Sequence, residues 1–326
     1  MATPNPLLDL PGLPVLRERV EKRLLGAVES DDTAMAEMAS HLVKAGGKRL
    51  RPVLAALSST AGDPAATVSD DAVTGGVACE LVHVGSLHHD DVIDEAATRH
   101  GVDSVNARWG NLRAILSGDF LLARASELAA SLGTEVAGLL AATIGRLCEG
   151  EVRELQFAYQ TDRSVADYAA AIEGKTAALY STACRIGGIV ADLPRAQVDA
   201  LTDFGLHYGM AFQVVDDILD VVATDEELGK PAGHDMAEGV YNLPVLRAFD
   251  GAGGGELRSL LGGPLEPDAQ ARALAIVRGG DGVTLAVSDA RAYVDRAVAD
   301  LDRLPPTPAG EALASAARHL LVGLDR

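Results

Sequence analysis

The chain has 326 residues, 48% of them hydrophobic, which is enough for a substantial buried core. Lysine and arginine total 28 against 47 aspartates and glutamates, a formal charge of −19 that repels nucleic acid and anionic lipid; an anionic ligand would need locally gathered positive charge. Cys79, Cys148 and Cys184 stand far apart with no CxxC or Cys/His clustering, which argues against a disulfide framework or structural zinc and for buried, reduced thiols in a cytoplasmic protein.

The opening MATPNPLLDLPGLPVLRERVEKRLL interrupts any apolar stretch with prolines and aspartate, and no later run approaches a membrane span, so neither a leader nor a transmembrane segment is expected. Aromatics are only 4% and β-branched residues rarely alternate with polar ones, so the chain reads as all-α. The first helix begins near Pro14, with Val15, Leu16, Val20, Leu24 and Leu25 at helical spacing. Further helices are expected over 32–45, 49–61, 69–96, 103–131, 134–159, 165–173, 175–192 and 195–222. Breaks rich in Gly, Pro or Asp separate them, none long enough for an interdomain linker, and Gly251–Gly280 reads as a connecting region inside one domain spanning 1–326.

One motif recurs. DDVID places Asp90, Asp91 and Asp94 at the end of a long apolar helical pattern, and DDILD does the same with Asp216, Asp217 and Asp220. Aspartates one helical turn apart repel unless solvated or neutralised, and between Arg195 and Lys230 there is no Lys or Arg to neutralise the second set. Carboxylates without His or Cys partners make a hard oxygen site suited to Mg²⁺, which completes its shell with water and phosphate oxygen; a diphosphate is the natural guest. His88 and His89 point about 100° apart on a helix and read as packing or supporting residues rather than joint ligands.

Basic residues occur where an anion would need them. GGKRLRP offers Lys48, Arg49 and Arg51 behind a double glycine, though a solvated helix cap is the plain alternative. GKTAALYS offers Lys175 and Thr176, and LGKPAGHD offers Lys230 and Asp235; neither is a Walker loop.

Taken in order, GGKRLRP, ELVHVGSLHHDDVIDEAATRHG, GKTAALYS, FQVVDDILD and GKPAGHDMAEGVYNLP resemble the motifs of the trans-type isoprenyl (polyprenyl) diphosphate synthases, over about Gly46 to Pro244. The resemblance implies a single-domain helical bundle with a central apolar cavity. Across it Asp90, Asp91 and Asp94 would face Asp216, Asp217 and Asp220 and clamp the Mg²⁺-bound diphosphate of an allylic substrate. It implies that Arg99, Lys175, Lys230 and Gln213 help hold that group, that Lys48, Arg51 and His83 bind the diphosphate of isopentenyl diphosphate with Arg49 beside them, and that Thr176 and Gln213 lie near the reacting carbons. A homodimer packed through an apolar helix face is implied as well.

Some positions depart from the family pattern. His100 stands in RHG where a second arginine is usual, Asp103 where proline is common, Val240 for a lysine and Asn242 for a threonine. Gly85 and Ser86, five and four positions before the first aspartate, are small where short-chain members carry bulk, which implies a product of geranylgeranyl length or longer. Two alternatives stand beside this reading. A terpene cyclase would show one aspartate motif and an aromatic pocket; a non-catalytic prenyl-diphosphate-binding subunit of a heteromeric synthase would have lost aspartates.

Overall fold

The computed structural model describes residues 12–223 and 232–324. Its helices, in chain order, are α1 (Leu13–Ala27), α2 (Thr33–Ala45), α3 (Leu50–Thr60), α4 (Asp70–Ile93), α5 (Val105–Trp109), α6 (Asn111–Ser131), α7 (Thr134–Gln156), α8 (Val165–Ile172), α9 (Ala178–Val190) and α10 (Arg195–Val222), then α11 (His234–Ala237), α12 (Leu243–Ala248), α13 (Gly254–Leu260), α14 (Pro267–Gly279), α15 (Gly282–Asp300) and α16 (Pro308–His319). A single π-helical turn, Glu173–Ala177, leads into α9. Among the described residues the only sheet is one antiparallel pair of two-residue strands, β1 (Thr98–Arg99) and β2 (Val102–Asp103).

Helix starts follow their caps. Asp32 accepts the Ala34 and Met35 N–H groups ahead of α2, Ser69 caps α4 with Asp70 and Asp71 in its first turn, and Ser164 and Asp167 form a reciprocal box at α8. The expected helix over 103–131 is instead a strand residue, α5 and α6, because Gly110 at φ 87° breaks the helical path. Gly251–Gly280 is likewise not a mere connection, since it carries the whole of α13 and α14.

The chain forms two compact units. One comprises residues up to Ile144 with Leu179–Thr202 and Leu301–Ala316; the other comprises Gly145–Ala178, Asp203–Asp300 and the residues from Ala317 onward. In the first, α4 is the central helix: it is buried on every face through Leu81 and Val82 and packs against α1, α3 and α6. Gly85 and Gly118 face each other at the α4–α6 crossing, where a Cβ on Gly85 would come within 3.1 Å of the Gly118 carbonyl oxygen. The second unit has its own core, in which Tyr168, Ile172, Val214, Ile218, Tyr241 and Phe249 are buried together. Among the described residues no helix is long and apolar enough to cross a membrane. Cys79 and Cys184 are buried, and burial pushes both thiols up to about 12; Cys148, expected to be buried, is exposed.

Candidate active site

In the first unit the aspartate motif ends α4. Asp90 is half-buried and Asp94, the C-cap, is exposed, its N–H bonded to the Asp90 carbonyl. Asp91 is turned inward and fully buried. Arg99 reaches it from β1, with Nε at 2.8 Å and Nη2 at 2.7 Å from Oδ1, while Asn106 donates to its carbonyl oxygen. Burial pushes the Asp91 carboxyl up despite Arg99, and its Oδ2 has no partner among the described residues. A helix sets Asp90 and Asp94 on one face and Asp91 about 100° away from Asp90, so the split follows from spacing alone.

His100 and Gly101 are the two turn residues between β1 and β2, at φ 52° and 78°, as a two-residue I′ turn demands. Histidine tolerates this left-handed region better than most residues. Burial, then Arg99 and Arg49, lower the His100 pKa. His83 is lowered far more, by burial and by Arg51, His100, Arg49 and Arg99. Arg51, Arg49 and Arg99 thus all act against a charge on His83. Arg51 stacks over the Tyr180 ring at 4.6 Å, with its Nε buried and unpartnered among the described residues, and Lys48 is exposed.

Arg49 is different. It is 2% exposed, in the left-handed region at φ 51°, bonded to Glu21, to Glu80 and to the Val43 carbonyl oxygen. Burial alone would lower its pKa, and the two glutamates more than offset that. Its charge is consumed inside the unit, where it ties the glycine-rich turn to α1 and α4. His88 also serves packing: it is buried, its Nδ1 lies 2.8 Å from Ser117 Oγ, and burial drops its pKa to about 3.

In the second unit Gly150 and Gly174 let α7 and the π-turn meet, since a Cβ on Gly150 would lie 2.4 Å from the Lys175 nitrogen. The π-turn presents Lys175 and Thr176. Lys175 Nζ pairs with Glu151 at 2.8 Å and with Glu154. Burial would lower its pKa, but Glu154 and Glu151 raise it above the ordinary lysine value. Thr176 Oγ1 donates to Gln213 Oε1 at 2.8 Å, and Gln213 Nε2 donates to Asp217 Oδ1 at 2.9 Å. Asp216 is exposed, whereas Asp217 and Asp220 are buried. Burial pushes Asp217 well above the carboxylate range, against the hydrogen bonds from Tyr168 and Gln213. The Asp220 carbonyl oxygen accepts the Gly233 N–H, and Asn242 is buried with Nδ2 toward the Asp217 carbonyl oxygen. Lys230 lies outside the described residues.

Sequence reading passed over Glu151, Glu154, Arg163 and Tyr168. The acidic pair three residues apart in EGEVREL was a visible signal; the other two looked like ordinary core or surface positions.

The helical fold and the two aspartate-ended helices define the class. The family described as polyprenyl synthetase matches residues 32–276. A nonaprenyl diphosphate synthase of Mycobacterium tuberculosis is 39% identical over 91% of this chain and 89% of its own, and a heptaprenyl diphosphate synthase component 2 of Geobacillus stearothermophilus is 37% identical over 88% and 89%. A polyprenyl synthase from Caulobacter crescentus, solved with calcium and isoprenyl diphosphate, superposes with a TM-score of 0.89 at 32% identity, covering 97% of this chain and 96% of its own. The chain belongs to the polyprenyl synthetase family of trans-type isoprenyl diphosphate synthases and is an all-α prenyltransferase.

Proposed function

We propose that this prenyltransferase condenses isopentenyl diphosphate with an allylic diphosphate, using Mg²⁺, in the cytoplasm, as one synthase domain within a homodimer, and releases a product of geranylgeranyl length or longer. One observation carries the proposal. In a chain of net charge −19, Arg51, His83 and His100 gather in one unit, and none is hydrogen-bonded to a carboxylate among the described residues. Such a group suits an anion, and a diphosphate fits its charge.

The aspartate motifs fit a hard divalent cation. Asp90 and Asp94 share a helix face, and burial holds Asp91 and Asp217 above their ordinary pKa, a cost that nearby positive charge relieves. Among the described residues no three His, Cys, Asp or Glu side chains converge as a ready-made metal cage. A metal with few protein ligands takes the rest from water and phosphate, as Mg²⁺ commonly does. Asp90, Asp94, Asp216 and Asp220 are the ligands in this reading, with Asp91 and Asp217 tied back to protein donors. When bound, Mg²⁺ would supply charge neutralisation for the leaving diphosphate.

Lys175 uses two of its three N–H bonds on glutamates and keeps one for a diphosphate oxygen. Lys48, Arg51, His83 and His100 hold isopentenyl diphosphate, and Lys230 adds charge on the allylic side. The allylic C–O bond breaks with its electron pair leaving on the diphosphate, the double bond of isopentenyl diphosphate forms the new C–C bond, and the lost proton goes to the released diphosphate. Positioning and fixed charge supply the rate.

The kinship with a protein named component 2 favours a second arrangement, in which this chain is one subunit of a two-chain synthase. Incubating the purified chain with Mg²⁺, labelled isopentenyl diphosphate and each allylic primer, then sizing the products, tests both. Elongated chains from the protein alone support the proposal. Silence relieved only by a second protein supports the two-chain form. Hydrocarbon formed without consuming isopentenyl diphosphate overturns both in favour of a cyclase.

A further inference from the structure

The hydrogen-bonded series that begins at Thr176 does not stop at Asp217. Tyr168, on α8, donates its hydroxyl to Asp217 Oδ2 at 2.5 Å, so the series runs Thr176–Gln213–Asp217–Tyr168 within one unit. Each link has a direction. The phenol donates to one oxygen of Asp217 and the Gln213 N–H donates to the other. The Gln213 amide must then show its oxygen to Thr176, and Thr176 must donate its one proton to it. Its lone pairs are what remain for anything on its other side.

We propose that Tyr168 is a positioning residue that fixes this polarity, so that Thr176 offers lone pairs rather than a proton to an electron-poor allylic carbon. The inference rests on the prenyltransferase reading and extends it to a residue outside the recognised motifs. Tyr168 is 3% exposed and sits in the core with Ile172 and Tyr241. The guanidinium of Arg163, itself 5% exposed, lies 5.5 Å from its ring and is anchored by one bond to the Tyr241 carbonyl oxygen. Asp217 is itself 4% exposed, and a buried acceptor left short of a donor is costly. The cheapest repair is rotation of the carboxylate and a flip of the Gln213 amide. The flip would turn an N–H toward Thr176 and send the threonine proton outward, against the developing positive charge.

Tyr168→Phe removes only the hydroxyl. The expected result is a fall in kcat of about tenfold with KM for isopentenyl diphosphate within about twofold, the pattern of an interaction made in the transition state. In a Thr176→Val background, where the end of the series is already gone, the same substitution should cost less than about twofold. Tyr168→Met, hydroxyl-free but flexible enough to fill the space, must follow the same pattern, and melting curves show that each variant is folded at the assay temperature. A folded Tyr168→Phe with wild-type kcat overturns the proposal. So does an equal loss in both backgrounds, which is the mark of packing alone. A wild-type chain that consumes no isopentenyl diphosphate with any primer overturns the parent reading instead.

Discussion

At His100 the turn geometry and the electrostatics pull in different directions. Its φ of 52° suits histidine, while burial, with Arg99 and Arg49, keeps its proton affinity below the ordinary value. A bound diphosphate would raise that affinity. Binding of isopentenyl diphosphate should therefore be strongest below the pKa of the free protein, weaken as pH rises toward the pKa of the complex, and level off beyond it. His100→Arg should remove the decline, and comparing KM of the two proteins between about pH 5.5 and 8.5 cancels the ligand's own titration. Product length is also a residue-scale matter, but Gly85 is a poor place to probe it. It sits against Gly118, and a bulky side chain there would overpack the crossing at a cost of about 1–3 kcal/mol. Ser86 is half-buried, with its hydroxyl returned to the His83 carbonyl oxygen. Ser86→Phe should shift the product ladder toward shorter chains without lowering kcat for the first condensation, as chromatography of labelled products would show. The sequence revealed the residue types of the site well and their facing less well. Arg49 and Arg51 are equally basic on paper, yet a left-handed residue between glycine and helix turned the first into an internal tie.

Among the elements, α4 and α10 share an electrical peculiarity. Each ends in aspartates with no basic residue in its last turn, so acidic side chains sit at the negative end of the helix dipole. Both ends should be the parts of their helices most sensitive to divalent cations. At a saturating Mg²⁺ concentration, amide exchange at residues 90–96 and 216–223 should slow while the starts of both helices stay unchanged; equal slowing along the whole helices would count against it. Most elements were legible because apolar residues recur at helical spacing. The failures share a cause: Gly110 and the short helices after Gly251 depend on backbone conformation and tertiary burial, which periodicity does not report. The π-turn at Glu173–Ala177 was invisible for the same reason, since its composition is that of any helix start.

For the whole molecule, the formal charge of −19 keeps copies apart unless an apolar contact brings them together. α6 offers one, with Leu112 72%, Leu116 49% and Ile115 41% exposed at positions i, i+4 and i+3 of one face. The proposed homodimer should use this stripe: Leu116→Glu, at a position 49% exposed, should convert a dimer to a monomer in light scattering while the melting transition stays cooperative. Fold class was plain from composition, but the division into two units was not, because no linker marks it. The chain passes from one unit to the other between Ile144 and Gly145, Ala178 and Leu179, Thr202 and Asp203, Asp300 and Leu301, and Ala316 and Ala317. That weaving constrains how the protein can be born. The first unit lacks its Leu301–Ala316 segment until Asp203–Asp300 of the second has been synthesised, so neither unit can be completed much ahead of the other, and no single cut in the gene yields either one as a contiguous fragment.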